Sequence, residues 1–129
     1  MNLFSVRNKV VLITGTSRGI GKSIADTFLN LGAIVIGISK KKNLKIQHRN
    51  YFHFSCNLEN SKNIKATVKK AIKIKNKIDV LINNAGITKE NKKNIEKSFK
   101  IFDETININL AAPYQISVLV ADALKKNKN

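Results

Sequence analysis

Three short clusters in this sequence have residue types and spacings that chemistry could use. They are Thr14-Gly15-x-x-x-Gly19-x-Gly21, Asn83-Asn84-Ala85-Gly86 and Asn107-Ile108-Asn109-Leu110. In the first, the glycines follow the apolar run Val10-Val11-Leu12-Ile13. They open a segment whose apolar residues Ile24, Ala25, Phe28, Leu29 and Leu31 fall at helical spacing. A helix that begins just beyond a buried strand turns unpaired backbone N–H groups, and the positive end of its dipole, toward whatever lies above the strand end. A pyrophosphate is well matched to that position. Glycine is needed because a Cβ would block the tight turn and hold the backbone away from the phosphates.

The elements that must carry these clusters are legible from the apolar periodicity. A short run rich in β-branched residues, such as 10–13, is a strand buried on both faces. The helix after it spans about 19–31, Gly32 stops it, and Ile34-Val35-Ile36-Gly37-Ile38 is a second strand. Strand, glycine turn, helix and strand within about 30 residues make a βαβ unit. Tyr51-Phe52-His53-Phe54-Ser55 alternates as a third strand does, with Cys56-Asn57-Leu58 at its end. Asn60 or Ser61 caps a helix running to about Lys75, and 78–82 is a fourth buried strand leading into the asparagine–glycine segment. Residues 88–97 are charged and aperiodic, which predicts a mobile loop. From 102 to 125 the sequence predicts one long helix, with Phe102, Ile106, Asn109, Leu110, Pro113, Ile116, Val120 and Leu124 at helical spacing. Pro113 lacks an N–H and crowds the carbonyl of Asn109, so a local distortion is expected there.

Length and composition bound the function. The 129 residues are enough for one domain, and 43% hydrophobic residues are enough for it to fold. No apolar run reaches membrane-spanning length, and 1–8 is too short and polar for a secretory signal. The single cysteine, Cys56, forms no internal disulfide and suits the cytoplasm. His48 and His53 have no regularly spaced ligand partners, so no metal site is expected. The formal charge of +16 raises nucleic acid as a partner. However, the lysines at 62, 65, 69, 73 and 77 lie opposite the apolar face of Ile64, Val68, Ala71 and Ile72, as on a solvated helix. No interleaved arginine and aromatic surface accompanies them, so weak, salt-sensitive association is expected and specific recognition is not.

The three clusters, in this order and at these separations, resemble the motifs of the short-chain dehydrogenases/reductases, and the resemblance runs from about Val6 to the C-terminus. It implies an α/β fold, a Rossmann-type doubly wound parallel sheet, occupying 1–129 and truncated after the fourth strand and the following long helix. It also implies a nicotinamide dinucleotide cofactor lined by Gly15, Thr16, Ser17, Arg18, Gly19, Ile20 and Gly21. Asn57 and Leu58 would line the adenine side, and Asn84, Ala85 and Gly86 the nicotinamide side. In that family an aspartate usually stands where Asn57 is, and Asn57 would accept the adenine amino group through its amide oxygen. The first asparagine of the second motif, Asn83, would tie neighbouring strands together. Asn109 would be the catalytic asparagine.

Cofactor choice follows from the end of the second strand. An acidic residue there would hold the ribose hydroxyl of NAD and repel a 2′-phosphate. Here the residue is Ser39, followed by Lys40, Lys41 and Lys42, with Arg18 across the loop, so NADP(H) is expected over NAD(H). The family's proton-exchanging pair is a Tyr and a Lys four residues apart on one helix face, where the ammonium lowers the phenol pKa. Tyr51 is followed at that spacing by Ser55 and Tyr114 by Val118, so the pair is absent, as is the family's upstream serine. The resemblance therefore implies the cofactor-binding half of an oxidoreductase that moves hydride between nicotinamide and a carbonyl or alcohol, inactive alone. The intact enzyme would be a homo-oligomer acting on a small carbonyl compound or an acyl group on a carrier protein. A non-catalytic dinucleotide-binding remnant and a basic RNA-associated protein are the alternatives.

Overall fold

Four parallel strands form the centre of the computed structural model, which describes residues 2–41, 46–90 and 93–126. They are β1 (Val10–Thr14), β2 (Ile34–Ser39), β3 (Tyr51–Ser55) and β4 (Val80–Ile82), in the spatial order β3-β2-β1-β4. Val10 lies opposite Ile34 and Thr14 opposite Ile38 across β1 and β2, and β1 meets β4 from Val11–Val80 to Ile13–Ile82. Parallel pairing requires crossover connections, and α1 and α2 pack on opposite faces of the sheet in two of them. Helices α1 (Gly19–Asn30), α2 (Ser61–Lys75), α3 (Ile95–Ile106) and α4 (Ala112–Lys126) supply the cover, with a π-helical turn at Asn107–Ala111 joining the last two. This is the Rossmann-type α/β arrangement.

The sequence of β1 explains its place. All five of its residues are buried, and Val10 to Ile13 serve two cores alternately. Val10 and Leu12 meet Ile64, Val68 and Ala71 of α2 and Ala112, Ile116 and Val120 of α4. Val11 and Ile13 meet Ala25 and Leu29 of α1 on the other face. Each such side chain contributes about 1.5–3 kcal/mol by leaving water, which is why an uninterrupted apolar run occupies the centre of the sheet.

The helix spacing was misleading in two places. The segment 88–97 is not wholly a loop, because α3 already begins at Ile95. Asn94 caps it by accepting a hydrogen bond from the Lys97 N–H at 2.9 Å, and Glu96 lies in its first turn, favourably placed against the dipole. The long helix expected at 102–125 also has two apolar faces rather than one. Ala112, Ile116 and Val120 are in the core, whereas Phe102, Ile106, Leu110, Tyr114 and Val118 are exposed. The exposed set begins with Ile95 and Phe99 and continues along α3, the π turn and α4. Beside it, β4 has β1 as its one strand partner among the described residues.

The distortion expected at Asn109 is present as the π turn. The Ala112 N–H donates to the Asn107 carbonyl, five residues back, and Pro113 donates nothing. Among the described residues no helix is long and apolar enough to cross a membrane, and no group of His, Cys, Asp or Glu side chains could hold a metal ion.

Candidate functional site

An open cleft of about 510 Å³ lies over the C-terminal ends of the strands, where the strand order reverses between β1 and β4. That is the place where open parallel sheets bind ligands. The turn after β1 lines it with Gly15, Ser17, Arg18, Gly19 and Ile20. The end of β2 adds Ser39 and Lys40, and the end of β3 adds Cys56, Asn57, Leu58 and Glu59. Asn84, Ala85 and Gly86 close it above β4, and Ile108 reaches it from the π turn. Twelve of the expected site residues therefore share one cleft.

The glycine turn is built for close backbone approach. Gly15 and Gly19 have φ of +76° and +59°, which residues with a Cβ rarely adopt. At Gly21 a Cβ would strike the Gly15 carbonyl oxygen and the Asn84 amide nitrogen. Gly21 is buried and does not line the cleft; it lets α1 pack under the turn. Arg18, at the N-cap, is extended and provides no side-chain cap, and the first turn of α1 contains no acidic residue. The N-terminal end of α1 therefore presents its positive dipole end to the cleft without a capping side chain.

Thr14 and Asn84 lock the end of β1 to the segment that follows β4. The Thr14 hydroxyl oxygen accepts from the Asn84 and Ala85 N–H groups, each at 3.0 Å. The Asn84 amide donates to the Thr14 carbonyl at 3.1 Å and to the Gly15 carbonyl at 3.3 Å. This corrects the role expected of Asn83. The strand tie is made by Asn84, while the Asn83 amide donates to the Ser117 hydroxyl of α4 at 3.1 Å.

Several expected ligand contacts are redirected. Thr16 is fully buried and does not line the cleft; its hydroxyl lies 3.0 Å from the Tyr51 hydroxyl. Asn109 also lies off the cleft, with its side chain bonded to the backbone of Ile87. The Ser39 hydroxyl donates to the Lys41 carbonyl, so the turn after β2 uses its proton. Lys40 and Arg18 are exposed on the cleft wall, Lys41 is exposed beyond it, and Lys42 lies outside the described residues. The Asn57 amide oxygen already accepts from the Glu59 N–H at 3.1 Å, which leaves it one lone pair for a ligand.

Glu59 and Cys56 are cleft residues outside the three clusters, and Ile108, inside the third, was not among the expected cofactor residues. The Asn57–Glu59 turn is the local signal that could have revealed Glu59, since Asn commonly bonds the backbone two residues on. Cys56 is buried, and burial raises its thiol pKa, with a weaker opposing hydrogen bond to Thr67. A thiol so held is a packing group rather than a nucleophile.

The sequence profile described as short chain dehydrogenase matches residues 9–129. The chain belongs to this family. Among its relatives, the 3-oxoacyl-[acyl-carrier-protein] reductase of Vibrio harveyi is 32% identical over 129 residues, which is 96% of this chain and 52% of that protein. A metagenomic short-chain oxidoreductase solved with NADP superimposes with a TM-score of 0.82 at 29% identity, covering 93% of this chain and 58% of that one. A short chain dehydrogenase of Leptospira borgpetersenii solved with NAD+ has the same TM-score at 24% identity, covering 95% of this chain and 48% of the other, and shares the fold. This short-chain dehydrogenase chain thus spans about half the length of the relatives it matches.

Proposed function

We propose that this chain is the cofactor-binding half of an NADP(H)-dependent short-chain oxidoreductase, and that it holds the dinucleotide along the cleft above its strand ends. The observation that carries the reading is the uncapped N-terminus of α1, which opens into a cleft flanked by Arg18 and Lys40. The pyrophosphate would meet the backbone of Gly15, Ser17, Gly19 and Ile20. A 2′-phosphate would meet Arg18 and Lys40, with Lys41 in support. No carboxylate occupies the end of β2, and the cation excess favours the phosphorylated cofactor.

Asn57 and Leu58 would flank the adenine, and Asn84, Ala85 and Gly86 the nicotinamide side. When bound, the cofactor supplies hydride for reduction of a carbonyl or accepts it from an alcohol. The protein's own part in this chain is to bind and orient. Proton exchange would need the tyrosine and lysine at helical spacing that this sequence lacks, so we expect these residues alone to be inactive. The intact enzyme would be a cytoplasmic homo-oligomer acting on a small carbonyl compound or a carrier-bound acyl group, with Asn109 among its catalytic residues.

Calorimetric titration with NADPH and NADH at moderate salt tests this. The expected result is saturable binding that favours NADPH at least tenfold, narrows as salt rises, and weakens when Gly19→Val intrudes on the cleft. Equal affinities would remove the role of Arg18 and Lys40, and a folded chain that binds neither cofactor would end the proposal.

A further inference from the structure

Tyr51 is the first residue of β3, yet its hydroxyl reaches the turn that follows β1. It crosses the intervening strand at Gly37, where a Cβ would collide with the Tyr51 hydroxyl and the Thr16 hydroxyl. Glycine at this point of a central strand, between the β-branched Ile36 and Ile38, therefore has a specific use: it opens a path for the phenol across the sheet face. At the end of that path the Tyr51 hydroxyl lies 3.0 Å from Thr16 Oγ1 and 3.2 Å from His53 Nδ1. Thr16 has no solvent exposure, so its hydroxyl depends on a partner within the protein.

We infer that Tyr51 is a positioning residue for the cofactor turn, holding Thr16 so that the backbone of Ser17 and Arg18 faces the cleft in its binding geometry. Ser17 and Arg18 line the cleft while Thr16 and Tyr51 do not, so Tyr51 acts on the ligand through the turn and not by touching it. His53, two residues along the same strand, backs the phenol with its ring centroid 6.3 Å away. Burial raises the Tyr51 pKa, the Thr16 hydrogen bond opposes this, and Asp26 adds to the rise. The phenol therefore stays neutral at physiological pH and keeps its proton for bonding. A phenylalanine would fill the same space and cover the same core, so the hydroxyl is the feature that packing does not explain.

The inference rests on the cleft being a dinucleotide site, and the experiment separates the two. NADPH affinity and urea midpoint are measured for the wild-type chain, Tyr51→Phe, Thr16→Val and the double variant. The expected result is that each single change weakens NADPH roughly three- to tenfold, the scale of one hydrogen bond, and that the double variant is no weaker than either. Tyr51→Phe binding NADPH as the wild type does would overturn the inference, as would single losses that multiply in the double variant. Coupling seen in the urea midpoint but not in NADPH affinity would assign the pair to packing alone and overturn it too. Absence of NADPH binding by the wild-type chain would instead remove the functional reading on which it stands.

Discussion

Asn109 and Ile87 are joined as two strands would be: the Asn109 side-chain oxygen accepts from the Ile87 N–H at 2.8 Å, and its amide nitrogen donates to the Ile87 carbonyl at 2.8 Å. One side chain thus fastens the segment after β4 to the π turn, beside Gly86, which lines the cleft. Replacing Asn109 by Ala removes both bonds at a partly solvated site. A loss of about 1–2 kcal/mol is expected in urea unfolding, together with faster hydrogen exchange at the Ile87 amide. Unchanged exchange at Ile87 would show that the pair does not hold the segment.

Gly21→Ala should be among the most damaging single changes available. The new methyl group would press on the Gly15 carbonyl and the Asn84 amide, both fixed by the strand tie. Because backbone rather than a flexible side chain must move, a loss of roughly 1–3 kcal/mol or more is expected. The urea midpoint should fall and cofactor affinity should fall with it. A variant with both unchanged would mean that the turn relaxes without cost.

Asp79 links the starts of β1 and β4. Its carboxylate accepts from the Val10 N–H at 2.8 Å and pairs with Lys77 at 3.1 Å. Burial pushes its pKa up, but the Val10 hydrogen bond, the Lys77 bond and charge, and the charge of Lys9 outweigh this and hold it below the ordinary value. A depressed carboxylate contributes stability that is full above the unfolded pKa of about 3.9 and disappears as pH falls through the lower folded value. Stability measured from pH 7 down to 2 should therefore drop below about pH 4 more steeply in the wild type than in Asp79→Asn. Parallel acid limbs would contradict the assignment.

The exposed apolar stripe should make the chain self-associate. Ile95, Phe99, Phe102, Leu110, Tyr114 and Val118 are each more than half exposed along α3, the π turn and α4. Contiguous patches of this kind seek cover. Sedimentation should reveal species larger than a monomer at micromolar concentration, shifting toward monomer in a Phe102→Lys, Leu110→Lys variant. A monodisperse wild-type monomer would refute this.

How much could be read beforehand depended on the range of the interaction. The unit from Val10 to Ser39 was legible because its strands, turn glycines and helix are set by local pattern. Pro113 located the distortion at Asn109 for the same reason: a missing N–H acts on the residue four before it. The start of α3 escaped because Ile95 and Phe99 are exposed, so no core periodicity marked them. The roles of Asn84, Thr16 and Ser39 depend on which side chain reaches which backbone after folding. Thr14 and Asn84 stand 70 residues apart, and no spacing rule connects them.

The central position of β1 also has a consequence for biosynthesis. Val10 and its partner Asp79 are separated by 69 positions, so the strand made first receives its second neighbour last. At about 5–20 residues per second, the ribosome takes on the order of 3–14 s to bridge that gap. Throughout it, one edge of an uncharged segment, apolar from Val10 to Ile13, waits for β4. The nascent chain is therefore a natural client for chaperones that bind short hydrophobic peptides, and the yield of folded protein should depend on translation speed between β1 and β4.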